Sequence, residues 1–579
     1  MKASDLLAEI LKKNNIKNVF GLQGGAVVHI FDSLIKKKID VTFTHHEQSA
    51  SLAAAAYAKS VNDIGCVVVT TGPGSTNAIT GLMSAWQDSI PVIFISGQAR
   101  SIHTSYNKKV RQVGTQEVNI CDIVRPITKY TKFINKIENF QLEIEKAIKI
   151  AISGRPGPVW LDIALDTQWL DIKKIKKIKK IKPAELRSVK YSKIKSAIKL
   201  INQSKKTLFI LGNGVTLSGL RRKEIQSMLI KKSIPCALTW NTASLLTTNN
   251  THNLGIIGMS GQRGANKSVF NSDLIVCLGN HLPIPQTTTL YKKYANSIKK
   301  IIVNIDNDQL KNLNVNFDLK INMDCKDFLY KIKDKLIKKK KSELLKFKRL
   351  NWYEPLEKKL PDSNSFIRKL TKNIIGKKSI IIDGGGTALY AGFQSSNVDI
   401  NTKIICSSAI SSMGTGLAET IGAHKSNKFK KHICIIGDGS FLMNCQDLQT
   451  IYQEKINVII LVVNNNGYLA IRNTQKEFLN KKYYGTHPML KDISFPNFSK
   501  LSNGFQIKHI KINTLNKSKI FLKKCNNLNG PLIVELIVDE NQPSLFKQGY
   551  KKNNDGTFSP SDLSEMYPFI TKPMANTNN

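Results

Sequence analysis

The chain alternates short apolar runs with amphipathic stretches of helical period. Residues 19–34 ("VFGLQGGAVVHIFDSL") pass from a β-branched run through a Gly-rich turn into a helical pattern. Residues 66–98 ("CVVVTTGPGSTNAITGLMSAWQDSIPVIFISGQ") do the same and then return to a strand. Strands that alternate with helices in this way predict βαβ units and a parallel sheet.

The same pattern returns in the middle and in the last part of the chain. The middle part carries "TLFILGNGV", "SDLIVCLGN" and "KIIVNIDND", and the last part carries "SIIIDGGGTALY", "HICIIGDGS" and "INVIILVVNNNGY". A chain of 579 residues, 41% of them apolar, is too long for one core and suffices for three domains. We therefore predict an α/β fold of three consecutive doubly wound parallel-sheet domains.

Two lysine-rich stretches divide the chain. "DIKKIKKIKKIKP" begins at Asp171 and ends in a proline, and a second stretch runs from Lys331 to Arg349. Their composition is typical of linkers. The predicted boundaries are an amino-terminal domain 1–170, a linker 171–189, a central domain 190–330, a linker 331–360, a carboxyl-terminal domain 361–545 and a tail 546–579.

The formal net charge of +44 raises the question of nucleic-acid binding. Of the 86 basic residues only 11 are arginines, and the lysines are spread along the whole chain among Ile and Asn. A specific nucleic-acid surface would instead collect basic and aromatic residues on one face. We interpret the lysines as solvated surface residues and predict no specific nucleic-acid partner, with polyanion binding as the rival class.

The sequence predicts a cytoplasmic protein without a membrane span. No apolar run approaches the roughly 18 residues that a transmembrane helix needs. The first residues, "MKASDLLAEILKKNN", place charges where a signal peptide needs an apolar core. The nine cysteines are scattered singly, with no C-x-x-C pair, and are predicted to be reduced thiols.

Polar residues follow two neighbouring predicted strands near the end of the chain. Asp438 lies between two glycines, and three asparagines with a glycine follow about 27 residues later. In parallel sheets ligands bind beyond the carboxyl ends of strands. An Asp and an Asn offer hard oxygen ligands that suit Mg²⁺ shared with phosphate. Gly439 and Ser440 begin the next helix, where their amides and the Ser hydroxyl can face phosphate oxygens, so a diphosphate ligand is predicted.

These motifs resemble the thiamine-diphosphate enzymes, and several segments are similar to the acetolactate-synthase branch. The resemblance covers the chain from Asp5 to about Pro543. It rests on the Asp and Asn motif, on Glu47 in "THHEQSASLAAAAYAKS", and on the segments "GLQGGAVVHIFDSL", "TTGPGSTNAITGLMSAWQDSIPVIFISGQ", "RPGPVWLDI", "LGIIGMSG" and "SSMGTGLAETIGA". It implies a pyrimidine-binding first domain and a diphosphate- and Mg²⁺-binding third domain.

The resemblance implies three catalytic residues. Glu47 would bond N1′ of the aminopyrimidine, Met413 would wedge beneath the cofactor, and Gln116 would face the reacting centre. The Mg²⁺ ligands would be Asp438, Asn465 and the carbonyl of Gly467, with Asn464 and Asn466 as alternatives if the register slips by one. The implied cofactor-binding residues are Gly24, Gly25, Pro73, Asn77, Gly385, Gly386, Ser411, Met413, Gly439, Ser440 and Asn465.

The implied activity is decarboxylation of a 2-oxo acid, with pyruvate as the expected donor, followed by carboligation to a carbonyl acceptor. Glu47 and Asp438 belong to different domains, so the resemblance implies sites shared between the subunits of a homo-dimer or tetramer. Gly385 and Gly386 stand where the branch usually has Gln and His. A relative that binds the cofactor without turnover is a further alternative.

The acceptor is where this sequence departs from acetolactate synthases. Pro285 stands near the position of an Arg that holds the acceptor carboxylate, and Thr474 stands where a Trp narrows the acceptor pocket. These substitutions resemble a sub-branch that adds an acetyl unit to a keto-sugar nucleotide, although acetolactate synthesis remains the alternative. Arg472 would meet a phosphate or hydroxyl or lie on the surface, and His281 or Arg263 could replace the missing Arg.

The central domain of this branch often holds FAD. "LGNG" (211–214) and "GMSGQRGAN" (258–266) keep the glycine pattern, which is also typical of strand-end turns. FAD is therefore retained as a second ligand to be tested.

Overall fold

A computed structural model of the protein describes residues 1–106, 108–172, 190–352, 359–543 and 545–569. Most of the predicted first linker, residues 173–189, lies outside the described residues, as do residues 353–358 of the second linker. The described residues form three six-stranded sheets and two small two-stranded ones. Three parallel sheets with helices between their strands confirm the predicted fold class.

Six parallel strands form the amino-terminal sheet, which contains both predicted βαβ segments. The strands are β1 (Asn18–Gly21), β2 (Asp40–Phe43), β3 (Gly65–Val69), β4 (Val92–Gln98), β5 (Tyr130–Ile134) and β6 (Val159–Ala164). Their order is β2-β1-β3-β4-β6-β5. Strands β3, β4 and β6 are buried at every position because helices cover both faces of the sheet. These helices are α1 (Ala3–Lys13), α2 (Val28–Lys36), α3 (Glu47–Val61), α4 (Pro73–Asn77), α5 (Ile79–Asp88), α6 (Ile120–Val124), α7 (Phe140–Ile152) and α8 (Leu165–Trp169).

The central sheet is also parallel but has a different strand order. Its strands are β7 (Thr207–Leu211), β8 (Cys236–Leu238), β9 (Asn253–Ile256), β10 (Leu274–Leu278), β11 (Lys299–Asn304) and β12 (Leu319–Asn322). The order β12-β11-β10-β7-β8-β9 is that of a doubly wound dinucleotide-binding fold read from one edge. The helices are α9 (Tyr191–Gln203), α10 (Asn213–Leu217), α11 (Arg222–Lys232), α12 (Arg263–Phe270), α13 (Ile284–Thr287), α14 (Asn307–Lys311) and α15 (Cys325–Ile332).

The carboxyl-terminal sheet repeats the topology of the amino-terminal one. Its strands are β13 (Lys378–Ile382), β14 (Thr402–Ile405), β15 (Lys431–Gly437), β16 (Val458–Asn464), β17 (Lys508–Ile512) and β18 (Leu532–Ile537). The order β14-β13-β15-β16-β18-β17 matches that of the first sheet strand for strand. The helices are α16 (Ser363–Asn373), α17 (Gly386–Ser395), α18 (Thr415–Lys425), α19 (Asp438–Phe441), α20 (Asp447–Gln453), α21 (Leu469–Phe478), α22 (Phe498–Gly504) and α23 (Leu515–Lys524).

Helix α3 of the amino-terminal domain packs against α18 of the carboxyl-terminal domain, and α20 packs against α18 in turn. The contact is so close that a Cβ on Gly422 would lie 2.0 Å from the carbonyl oxygen of Ala53. Asp447 of α20 is 0% exposed near this contact, and neither of its carboxylate oxygens accepts a hydrogen bond from the described residues. This domain contact therefore holds a carboxyl group without a bonded partner in the described chain.

The segment after the third sheet folds back onto the central domain. It contains β19 (Lys547–Gln548), β20 (Tyr550–Lys552), β21 (Phe558–Pro560) and β22 (Met566–Tyr567), which form two antiparallel pairs. Gln548 donates its backbone N–H to Met259, and Arg263 of α12 donates to the carbonyl of Pro568. Asn266 donates to the Met566 sulfur over 3.0 Å. The described part of the predicted tail is thus part of the central domain's packing.

The described cysteines are unpaired, as predicted, and all but Cys445 are buried. Among the described residues no helix is both long and apolar enough to cross a bilayer. The second predicted linker contains the end of α15 and a 3-10 helix, Glu343–Asn351, in its described part.

Candidate active site

A large cavity opens where the carboxyl ends of strands in the central and carboxyl-terminal domains face the amino ends of strands in the amino-terminal domain. Its volume is about 1550 Å³. The carboxyl-terminal domain contributes the turns after β13, β15 and β16, and the central domain contributes those after β7, β10 and β11. Residues 86–89 and 153–156 of the amino-terminal domain complete the wall.

Asp438 lies at the end of β15 with its carboxylate held by two backbone amides. Oδ1 accepts from the N–H of Gly439, and Oδ2 accepts from that of Gly467, each at 2.8 Å. The side chain is buried, and burial raises the pKa of Asp438 to about 6 although the amide hydrogen bonds oppose this rise. The register of β15 and β16 pairs Gly437 with Val463, so the Asp and the asparagine loop begin side by side.

Residues 464–467 begin at the end of β16 and are named the metal loop here. The side chains of its three asparagines have different partners. Asn464 donates to Glu535 and accepts from the backbone of Asn466, whose own side chain lies 3.2 Å from His487. Only Asn465 has a buried side-chain oxygen, Oδ1, without a hydrogen-bond partner among the described residues. Its Nδ2 donates to Thr387 over 3.1 Å.

An unpartnered buried oxygen beside a buried carboxylate fits a hard cation. The described residues contain no cluster of three or more His, Cys, Asp or Glu side chains that could hold a metal without help. One carboxylate and one amide oxygen suit Mg²⁺, which takes its remaining ligands from water and phosphate, better than Zn²⁺. The carbonyl of Gly467 accepts from the N–H of Leu469 at 3.0 Å and retains a second lone pair.

The floor of the cavity is built from glycines that approach side chains closely. A Cβ on Gly385 would lie 2.3 Å from Cγ of Met413, so only glycine leaves Met413 its place. A Cβ on Gly439 would likewise lie 2.3 Å from the ring of Tyr468. Gly386 has φ +58° with open space beside it, and Ser411 also has a positive φ. All of these residues line the cavity.

Ser440 differs from the expectation that its hydroxyl faces a phosphate. The hydroxyl donates its hydrogen to Asp383 and accepts from the N–H of Gly414 at 2.9 Å. Asp383 also accepts from the N–H of Gly416, and burial raises the pKa of Asp383 to about 6. The sequence analysis missed Asp383, although its place between a buried strand and three glycines was a signal.

The amino-terminal candidates form a second group at the end of their own sheet. Glu47 is the first residue of α3, and His46 caps this helix. Oε2 of Glu47 accepts a hydrogen bond from Nδ2 of Asn77 at 3.1 Å. Gly74, one residue after Pro73, lies beside the same carboxylate. The carbonyl of Gln116 accepts from Thr71 and lies against Gly72. Gly24 packs on Thr70, and Gly25 is exposed.

The structure therefore brings the candidates together in two groups but does not join the groups. Gly385, Gly386, Ser411, Met413, Asp438, Gly439, Ser440, Asn465 and Gly467 line the cavity, whereas Gly24, Gly25, Glu47, Pro73, Asn77 and Gln116 do not.

Of the residues predicted to lie near the acceptor, some line the cavity and others do not. Pro285 and His281 line the cavity, and burial lowers the pKa of His281 to about 4. Arg263 does not line it and is stacked 4.9 Å from the ring of Phe546. Thr474 is exposed and its hydroxyl donates to the carbonyl of Ala470, so Thr474 does not enlarge the cavity formed by the described residues.

Arg472 is neither a surface residue nor a residue of the cavity wall, in contrast to both expectations. It is 9% exposed and donates to backbone carbonyls of the metal loop. The sequence carries no signal for this role because backbone carbonyls are present in every segment.

Comparisons with known families agree with this geometry. The profile described as thiamine pyrophosphate enzyme, N-terminal TPP binding domain, matches residues 1–123. The central-domain profile of the same enzymes matches residues 194–332, and the C-terminal TPP binding domain matches residues 384–536. The chain belongs to the thiamine-pyrophosphate-dependent enzymes and is a carboligase of that class.

Curated relatives narrow the class to the acetolactate-synthase-like branch, as the resemblance predicted. An acetolactate synthase large subunit of Buchnera aphidicola subsp. Acyrthosiphon pisum is 31% identical, with 87% of this chain and 88% of the relative covered. One of Cyanidium caldarium is 30% identical, with 92% of each chain covered. A probable acetolactate synthase large subunit of Methanococcus aeolicus is 28% identical over 96% of this chain and 95% of its own.

Proposed function

We propose that the enzyme binds thiamine diphosphate together with Mg²⁺ and transfers the acyl unit of a 2-oxo acid, pyruvate in the first instance, to a ketone that carries no carboxylate beside its carbonyl. The observation that carries the metal site is the unpartnered Oδ1 of Asn465 next to the buried carboxylate of Asp438. With Asp438 and the carbonyl of Gly467, Asn465 would hold the cation.

The remaining residues of the floor would receive the cofactor. Gly385, Gly386 and Gly439 line this floor, with open space beside Gly386, and would lie against the diphosphate, while Met413 would support the ring system from below. Thiamine diphosphate supplies the carbon nucleophile and accepts the electron pair released when CO₂ leaves. The protein's own contribution is to bind, to orient and to exclude water.

The other half of the site would come from a second copy of the chain. Glu47 would hold N1′ of the pyrimidine, yet it does not line the cavity that contains Asp438 and Met413. A homo-dimer or tetramer that places the Glu47 group of one subunit over the cavity of another would complete the site. A monomer would then be inactive.

The choice of acceptor is supported by the charges on the cavity wall. Three basic side chains line it in the described chain. Arg155 is paired with Asp306 at 3.1 Å, and Lys129 bonds to the carbonyls of Ile150 and Ser153. His281 is neutral at pH 7 because burial lowers its pKa to about 4. Since Pro285 has no charge, a small oxo acid would find no arginine at that position for its carboxylate, and the Lys129 ammonium is already held by two carbonyls.

A keto-sugar nucleotide remains our example of the acceptor, because its charges are several bonds from the reacting carbonyl. The second candidate function is acetolactate synthesis, which the names of the relatives favour. We also propose that the central-domain part of the cavity, where Gly214 approaches Gly279 closely, accepts a dinucleotide such as FAD.

One experiment separates the two functions. The enzyme, loaded with thiamine diphosphate and Mg²⁺, receives pyruvate alone, pyruvate with 2-oxobutyrate, and pyruvate with neutral ketones or keto-sugar nucleotides, while CO₂ release and products are measured. We expect CO₂ with little acetolactate, and more turnover when ketones are added. Flavin absorbance of the purified protein tests FAD in the same preparation.

A gain-of-function variant sharpens this test. Pro285→Arg should raise acetolactate formation, because a charged hydrogen bond of about 1.5–3 kcal/mol corresponds to one to two powers of ten. Thr474→Arg, on the exposed face of α21, is the matched control. If the parent enzyme forms acetolactate saturably and no added ketone increases turnover, the acceptor proposal is wrong and acetolactate synthesis is the function.

A further inference from the structure

Arg472 is the only residue of α21 in the described chain whose side chain bonds to the metal loop. Its Nη1 donates to the carbonyl of Asn466 at 3.1 Å, and its Nη2 donates to the carbonyl of Asn465 at 3.1 Å. Nη2 also donates to the carbonyl of Glu540 at 2.6 Å, just beyond β18. One buried guanidinium thus ties the metal loop to the neighbouring strand end.

The metal loop has a backbone that needs such support. Asn466 has φ +61° and Gly467 has φ +119°, so two consecutive residues adopt a conformation that L-residues other than Asn or Asp rarely take. The side chain of Asn466 is held by His487 and Glu540 at 3.2 and 3.4 Å. The turn directs the N–H of Gly467 to Asp438.

We propose that Arg472 is a positioning residue for the metal site, which fixes Asn465 and Gly467 relative to Asp438 by binding the carbonyls of the loop. This inference rests on the proposed Mg²⁺ site. Arg472 does not line the cavity, so it acts on the ligands and not on the substrate. Partners that orient metal ligands from behind typically control metal affinity about 10- to 100-fold.

The planar guanidinium is central to this role. Two nitrogens of one rigid fork bond to two adjacent carbonyls and to a third across the strand end. A lysine ammonium is a point charge and cannot hold the same three acceptors in a fixed plane. Arg472→Lys should therefore keep the charge but loosen the loop.

The test compares Arg472→Lys and Arg472→Gln with the parent enzyme. Lys476→Gln, an exposed change one turn further along α21, is the matched control. Calorimetry measures thiamine-diphosphate binding over a series of Mg²⁺ concentrations. We expect both Arg472 variants to need about 10- to 100-fold more Mg²⁺ for half-maximal binding, while the control follows the parent.

A second measurement separates positioning from folding. Hydrogen exchange of peptides covering residues 464–472, without metal or cofactor, should be faster in both Arg472 variants, while peptides of β13 and β15 exchange as in the parent. Unchanged Mg²⁺ dependence in both variants overturns the proposal. Failure of both variants to fold also overturns it, because Arg472 would then serve the whole domain and not the loop.

Asp438→Ala distinguishes this failure from failure of the proposed function. If the parent enzyme binds thiamine diphosphate without any need for Mg²⁺, and Asp438→Ala does not change this, the proposed metal site itself is wrong. If Asp438→Ala abolishes Mg²⁺-dependent binding and the Arg472 variants do not weaken it, only the role of Arg472 is wrong.

Discussion

Asp447→Asn should stabilise the protein, and the gain should grow as the pH rises. The Asp447 carboxyl is fully buried between α20 and α3, and its oxygens accept no hydrogen bond from the described residues. Burial raises the pKa of Asp447 from 3.8 to about 7. The nearby Ser49 hydroxyl donates to Asn444 over 3.4 Å and not to Asp447. Ionising this group in the folded protein therefore costs free energy.

The sign and size follow from the two pKa values. Because the folded pKa is the higher one, the folded state binds the proton more tightly, and stability is lost as the pH rises from about 4 through 7. A difference of about 3 pKa units corresponds to a cost on the order of 4 kcal/mol at pH 8. At pH 5 most of this cost is absent, so the stability advantage of the Asp447→Asn variant over the parent should increase by about 2–3 kcal/mol between pH 5 and 8.

The assay is thermal unfolding of the cofactor-free protein from pH 5 to 8. For a domain of this size 1 kcal/mol shifts the melting temperature by about 2–4 °C, so the difference between variant and parent should grow by roughly 4–12 °C. Asp334→Asn, at an exposed position, is the control and should show no such trend. A melting-temperature difference that is constant with pH, or a variant less stable than the parent at pH 8, would refute the reasoning.

Two further substitutions test the two groups of site residues. Glu47→Gln should leave cofactor binding intact but slow exchange of the thiazolium C2 proton, followed by NMR, by about 100-fold or more, because general acid–base assistance is lost; exchange at the parent's rate would contradict the role of Glu47. Gly385→Ala should destabilise the protein by about 1–3 kcal/mol and weaken cofactor binding, because its Cβ would lie 2.3 Å from Met413. The control Gly504→Ala meets open space and should melt like the parent, and equal behaviour of the two variants would argue against the Gly385 contact.

Buried strands were predictable from the sequence, and edge strands were not. Strands such as β15 and β16 are buried at all but their last position and contain continuous apolar runs, because both faces of the sheet are covered. The edge strands β5 and β17 keep polar residues along their length, and only their last positions are buried. Their pattern does not differ enough from that of a loop to be recognised.

The sequence predicted which residue types form the site, but it did not predict which of them contact one another. Three consecutive asparagines carry no signal for which one faces the cavity, because the left-handed turn at Asn466 decides this. The role of Arg472 depends on backbone carbonyls, which leave no trace in a sequence. The predicted domain boundaries, the shared subunit sites and the cytoplasmic location remain predictions.

The return of the last residues to the central domain has a consequence for the order of folding. Arg263 binds the carbonyl of Pro568, which is 305 residues further along the chain. At a synthesis rate of about 5–20 residues per second, roughly 15–60 s separate the two residues as they leave the ribosome. During this interval α12 lacks only its partners from the last segment, whereas the amino-terminal sheet already has all of its strands. The central domain, although second in sequence, is therefore the last of the three to be completed.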